Sequence, residues 1–342
     1  MANAPLSPAT IQPAPDKVEP VGQVDLRPLT TSELIDRGFT LYRAHFAGFL
    51  LLALLCQTAP LLSQVLITMT GITPTQANLM DNFYGCLPRL GAMMLIMLVA
   101  QLAVFGFEVL LTFYISDAYL GKVPSVAASL RKLGTCVWAS IWTFMLSRIL
   151  IGLTFIFPFI VTAAAYVYRV LFPPAEFLHI VAFAMVGALL FIVSLVPVLI
   201  VFMRIWVIIP PLALERLFGW KAVRRSVELV RYDPGLGILY WGEMRLSILL
   251  LPLFVIELLI LFLTSLPLTV VEFTEALRHG TAQFNAPPDA TMIISTILTF
   301  LAGSLILPLY PIATTLFYYD VRIRREGFDL EFMAKNLGGG QR

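Results

Sequence analysis

Three observations predict an all-α fold, a polytopic membrane protein of six transmembrane helices with cytoplasmic interfacial amphipathic helices. First, hydrophobic residues make up 59% of the 342-residue chain and charged residues 13%, against about 45–50% and about 25% in soluble domains. Charge is too scarce to cover a soluble surface. Second, apolar runs of twenty or more residues recur, each long enough to cross a hydrocarbon core of about 30 Å as a helix. Third, the basic residues alternate between rich and poor connections. Together these exclude a soluble globular enzyme, a disordered chain and a disulfide-rich secreted domain. The net charge of +2 points to no nucleic-acid partner.

Residues 1–29 hold Pro5, Pro8, Pro13, Pro15, Pro20 and Pro28 with few large apolar side chains, which predicts an extended, disordered cytoplasmic tail. No charged segment followed by an apolar core opens the chain, so the first membrane helix is expected to insert uncleaved. Thr30 and Glu33 then have the spacing of a capping box, and Leu29 with Leu34 that of a hydrophobic staple. They predict an interfacial helix over 30–45, with Leu34, Phe39, Tyr42 and Phe46 towards one face. Spans are expected near 46–70, 90–116, 137–166, 179–213, 236–264 and 291–318. Pro158, Pro197, Pro210 and Pro211 mark kinks or ends. The membrane domain is taken as 30–320 and a cytoplasmic C-terminal helix and tail as 321–342.

Of the 23 Lys and Arg, Arg148, Arg204 and Arg245 fall inside spans, and Arg89, Arg169 and Arg278 in loops on the far side. The other 17 share the side of the N-terminus, which places both termini in the cytoplasm. A weak internal repeat accompanies this pattern. A basic amphipathic segment precedes each outward-going span, at 30–45, 124–136 and 219–231. The second has a stripe of Val126, Leu130, Leu133 and Val137; the third has Trp220, Val223, Val227 and Val230. Two junctions match, Asp117 with Gly121 and Glu215 with Gly219. Three copies of an interfacial helix plus a hairpin would account for this.

Glu108, Arg148, Arg204, Glu243, Arg245 and Glu257 lie within spans. Charge at membrane depth is costly unless paired or hydrated, so such residues face a bundle interior and mark candidate sites. At about 1.5 Å per residue, Glu108, Arg148, Arg204, Glu243 and Arg245 form one layer in the cytoplasmic half, and Glu257 lies nearer the outer face. The five allow three readings: interhelical pairing of Glu108 and Glu243 with two arginines; a spare arginine for an anionic ligand such as a lipid phosphate; or a proton or ion path through the carboxylates. Basic residues flanking the spans, among them Arg224, Arg225, Arg322, Arg324 and Arg325, follow from topology and are also candidate contacts for anionic lipid headgroups or a protein partner.

Catalytic signatures are missing. No HExxH, P-loop or GxSxG occurs, and Gly338 to Gly340 lie in a terminal tail. His45, His179 and His279 fall on both sides of the membrane, and Cys56, Cys86 and Cys136 have no metal-ligand spacing. The expectation is a non-enzymatic protein without cofactor or metal. It would be a scaffold, accessory subunit or membrane-organising factor or, alternatively, a transporter or lipid-handling protein with an anionic-ligand site at the charge layer.

Three stretches carry a resemblance. They are Asp36-Arg37 with Leu41-Tyr42-Arg43 and Phe46; Ala213-Leu214-Glu215 with Ala222-Val223-Arg224-Arg225-Ser226 and Leu229; and Tyr318-Tyr319-Asp320, Arg322 and Arg325-Glu326-Gly327-Phe328-Asp329-Leu330. They resemble the membrane domain fused to some bacterial glycerophosphodiester phosphodiesterases and its stand-alone relatives. The resemblance implies a six-helix bacterial inner-membrane protein. It does not imply phosphodiesterase activity, because no segment here corresponds to the catalytic barrel. In the last stretch Gly327 can end a helix, Asp329 can cap a short one, and Phe328 with Met333 has staple spacing.

Overall fold

The structure, a computed structural model, describes residues 27–70, 83–171, 177–231, 242–279, 289–328 and 330. The expectations for tail residues 1–26, Asp329 and Met333 lie outside the described residues. Six helical stretches are long and apolar enough to cross a membrane, as a lipid-embedded chain requires if its backbone polar groups are to be satisfied internally. Among the described residues the elements are α1 (Thr31–Ala44), α2 (Phe46–Thr70), α3 (Phe83–Tyr119), α4 (Val126–Thr154), α5 (Ile156–Leu171), α6 (Phe177–Trp206), α7 (Ile209–Leu214), α8 (Trp220–Val230), α9 (Gly242–His279), α10 (Asp289–Ile306) and α11 (Leu309–Glu326).

The interfacial segments form where the sequence places them. Thr30 caps α1 and Glu33 returns the capping box. α4 departs from helical geometry at Cys136 (φ −123°, ψ 15°), so its amphipathic start bends there into the span. α8 is the third such segment. The buried faces differ from the predicted stripes. On α1, Leu34 and Gly38 are buried while Phe39 and Phe46 are exposed. On α8, Ala222, Val223, Ser226, Leu229 and Val230 are buried and Trp220 is exposed; on α4, Leu130 and Val137 are exposed. These short helices pack on the bundle as well as facing the membrane, so burial follows their helical neighbours.

Three spans are broken, two of them directly beside prolines. α6 ends at Trp206 and α7 starts at Ile209 just before Pro210 and Pro211; α10 ends at Ile306 and α11 starts at Leu309, on the far side of Pro308. Proline lacks the N–H that would continue the ladder, and in the last turn before each of these two breaks one carbonyl accepts a hydroxyl from another helix. The Ser226 hydroxyl of α8 donates to the Arg204 carbonyl at 2.7 Å, and the Tyr42 hydroxyl of α1 to the Leu305 carbonyl at 2.9 Å. The span that contains Pro158 breaks at Phe155, whereas Pro197 stays inside an unbroken α6. α11 runs through the expected boundary at 320/321, and Val321 and Ile323 belong to the core.

Burial is graded along the bundle. The principal core gathers Leu34, Phe49, Ile115, Leu246, Phe317 and Val321 at the end that carries α1, α8 and the end of α11, here termed the basic end. Towards the other end the spans expose Leu189, Phe254, Leu258, Phe262 and Leu301. Large apolar side chains on the outside are the normal lipid-facing surface of a membrane bundle. They lie all round the far half of the bundle.

Candidate functional site

At the basic end the charges answer one another. The Asp320 carboxylate, its side chain fully buried, accepts the Leu29 N–H at 2.7 Å, an Arg245 N–H at 2.8 Å and the Arg324 Nε–H at 2.9 Å. Arg245 and Arg324 also donate to the Leu29 carbonyl, so one acid ties the entry to α1, the start of α9 and α11 together. The Glu215 carboxylate accepts Arg225 at 2.9 and 3.1 Å and the Tyr318 hydroxyl at 2.9 Å. Glu326 takes Arg225 and Arg322. Burial works against the Arg225 cation, but the carboxylates of Glu326 and Glu215 outweigh it and hold its pKa above the ordinary arginine value. Asp117 takes Lys132 at 2.5 Å.

Each acidic junction of the sequence repeat therefore engages a basic residue or the backbone of an interfacial segment. Of the five candidate headgroup contacts, Arg225, Arg322 and Arg324 turn onto carboxylates of their own chain. Arg224 pairs with Glu228 on the surface of α8, and Arg325 donates to the Glu228 carbonyl.

The five-residue layer divides in three. Arg204 pairs with Glu243 at 2.7 Å. Arg245 leaves the layer for Asp320, a partner that the sequence offered only within the Tyr318-Tyr319-Asp320 motif. Glu108 and Arg148 remain. Among the described residues no hydrogen bond or ion pair is formed by the Glu108 carboxylate, which is partly buried on α3. Arg148 is its electrostatic neighbour and stacks over the Phe144 ring at 5.0 Å.

Both residues face open space. A cavity of about 260 Å³ is lined by Glu108, Arg148, Phe202, Trp206 and Tyr310. A second, of about 550 Å³, lies between α2, α3, α6, α9, α10 and α11 and shares Glu108, Phe202, Trp206 and Tyr310. Its other walls are mainly apolar, Leu199, Leu251, Phe254 and Ile260 among them, with Gln57, Ser247 and Glu257 as polar points. Tyr310 donates to the Glu257 carboxylate, which brings Glu257 to the same chamber although the sequence sets it apart from the layer. Both helix breaks beside prolines border the space: Ile208 and Ile209 line the smaller cavity, and Ile306 and Leu307 the larger. Gln57 and Tyr310 were missed from the sequence; the prolines at 308 and 311 around Tyr310 were the available signal.

The size is that of a small-molecule site. Broken membrane helices around a polar point are the arrangement in which transport sites are built. An apolar chamber at membrane depth, with one carboxylate and one guanidinium at its polar edge, can hold an amphiphile by its chain and grip its head by charge-assisted hydrogen bonds. No group of three or more metal-ligating side chains occurs among the described residues. Comparison with family models, curated proteins and solved structures finds no match to the chain.

Proposed function

We propose that this chain is a non-enzymatic, lipid-handling protein of the bacterial inner membrane, multi-pass with both termini in the cytoplasm. It takes a membrane lipid into the Glu108 chamber from the surrounding bilayer. The observation that carries this reading is the apolar chamber of about 550 Å³ with, on its wall, the Glu108 carboxylate that forms no hydrogen bond or ion pair among the described residues. Arg148 offers a cation to an anionic headgroup oxygen, and Glu108 accepts a headgroup donor. The asymmetry of the basic residues supports the orientation, and the resemblance to the membrane domain of glycerophosphodiester phosphodiesterases supports the compartment. A scaffold or accessory subunit that docks through its amphipathic helices has less support, because α1 turns Leu34, and α8 turns Val223, Leu229 and Val230, onto their own bundle.

Purification in mild detergent followed by mass spectrometry of the co-purifying lipids and proteins tests the reading. A lipid should be retained by the wild type and lost on Arg148→Ala, and also on Met203→Trp, which fills the chamber. A stoichiometric protein partner with no retained lipid would favour the scaffold instead.

A further inference from the structure

A third cavity, of about 420 Å³, lies where α3, α4 and the turn after α7 meet, and is lined by Asp117, Lys122, Lys132, Arg216 and Phe218 among others. It shares no lining residue with the two cavities at Glu108. Lys132 is taken up by Asp117. Lys122 and Arg216 are exposed and have no ion-pair partner among the described residues, so the cavity holds two uncompensated positive charges.

The loop that carries Arg216 is built rather than loose. Arg216 has φ +55° and Gly219 φ +60°, the Gly219 N–H donates to the Thr143 hydroxyl at 2.8 Å, and a Cβ on Gly219 would come within 2.8 Å of the Trp142 ring. The left-handed region suits glycine and disfavours arginine, so position 216 holds an arginine where the backbone alone favours glycine. The cavity lies at the bend of α4 at Cys136, which is itself in the lining. Phe218 (58%), Trp138 (83%), Trp142 (64%) and Trp220 (62%) are exposed on the same two segments. Exposed aromatics at the level where an amphipathic helix turns into its span mark the headgroup region of a bilayer.

We propose that this cavity binds the phosphate of an anionic phospholipid. Lys122 and Arg216 contact the phosphate oxygens, and the acyl chains lie outward along Trp138 and the apolar face of α4. The aromatic surroundings favour a lipid over a soluble phosphate, since a cavity for a free anion has no use for exposed tryptophans.

The test is native mass spectrometry of the full chain in detergent, titrated with phosphatidylglycerol or phosphatidylcholine. The Lys122→Gln/Arg216→Gly double variant should bind its first phosphatidylglycerol about tenfold or more weakly. Its melting temperature should stay at or above that of the wild type, because glycine at 216 keeps the left-handed backbone. The same tenfold loss is expected when wild type and double variant are compared with Arg148→Ala added to both, which removes the lipid of the Glu108 chamber and separates the two sites. The assignment is overturned by equal binding in the double variant, by equal affinity for the two lipids, or by a parallel fall in melting temperature. Full displacement by millimolar inorganic phosphate would overturn the lipid and leave a free-phosphate site.

Discussion

The two ends of the bundle treat charge in opposite ways. At the basic end Asp320, Glu215 and Glu326 each hold two or more partners, and the helices around them are closely packed. Deeper in the bundle Glu108 and Arg148 line one cavity that a broken span borders. Burying a charge is costly wherever it occurs. The closed end offsets that cost with complete networks that fix where α1, α9 and α11 sit. Among the described residues the open region has no such network, and under the proposed function its charges are available to a lipid headgroup. Under the proposed lipid-handling function, completeness of pairing rather than depth in the membrane separates structural from functional charge.

The contrast can be broken most forcefully at Asp320. Asp320→Asn leaves Arg245 and Arg324 without their carboxylate, and loss of one partner from a buried pair costs about 3–5 kcal/mol. A large fall in the thermal unfolding midpoint in detergent is expected, partly recovered by combining it with Arg245→Met. Arg224→Ala, which removes only a surface pair on α8, should shift stability by no more than about 0.5 kcal/mol. The smallest effect is at the start of α1. The Glu33 carboxyl is held down at about 2, first by the Thr30 N–H, then by the Thr30 hydroxyl and Arg27. Its folded value lies below its ordinary value of 4.5, so its contribution is present above pH 4.5 and is lost as pH falls towards 2. Amide exchange at the first turn of α1 should quicken over that window, and Glu33→Gln should remove the dependence.

Much of the architecture was legible because membrane hydropathy and capping are local signals. The Thr30 box, the six spans, the bend at Cys136 and the Gly327 helix end, with φ +64°, can all be read from neighbouring residues. Which face each short helix buries was not legible, since Trp220 and Leu130 answer to helices distant in sequence. The charge layer was legible as a set of residues but not as a set of pairs. Arg245 binds an acid 75 positions away, and a count of three arginines against two glutamates omitted Asp320 because it fell outside the spans. The chamber itself was hidden, for it is bordered by two helix breaks and lined from six helices, which no single segment encodes.

The most direct measurement is Glu108→Gln read two ways on the same sample, by unfolding midpoint and by retained lipid. The substitution removes a charge that forms no hydrogen bond or ion pair among the described residues, so the midpoint should hold or rise while the retained lipid falls. A fall in midpoint comparable to that of Asp320→Asn, with lipid retention unchanged, would make Glu108 another structural charge and contradict the account.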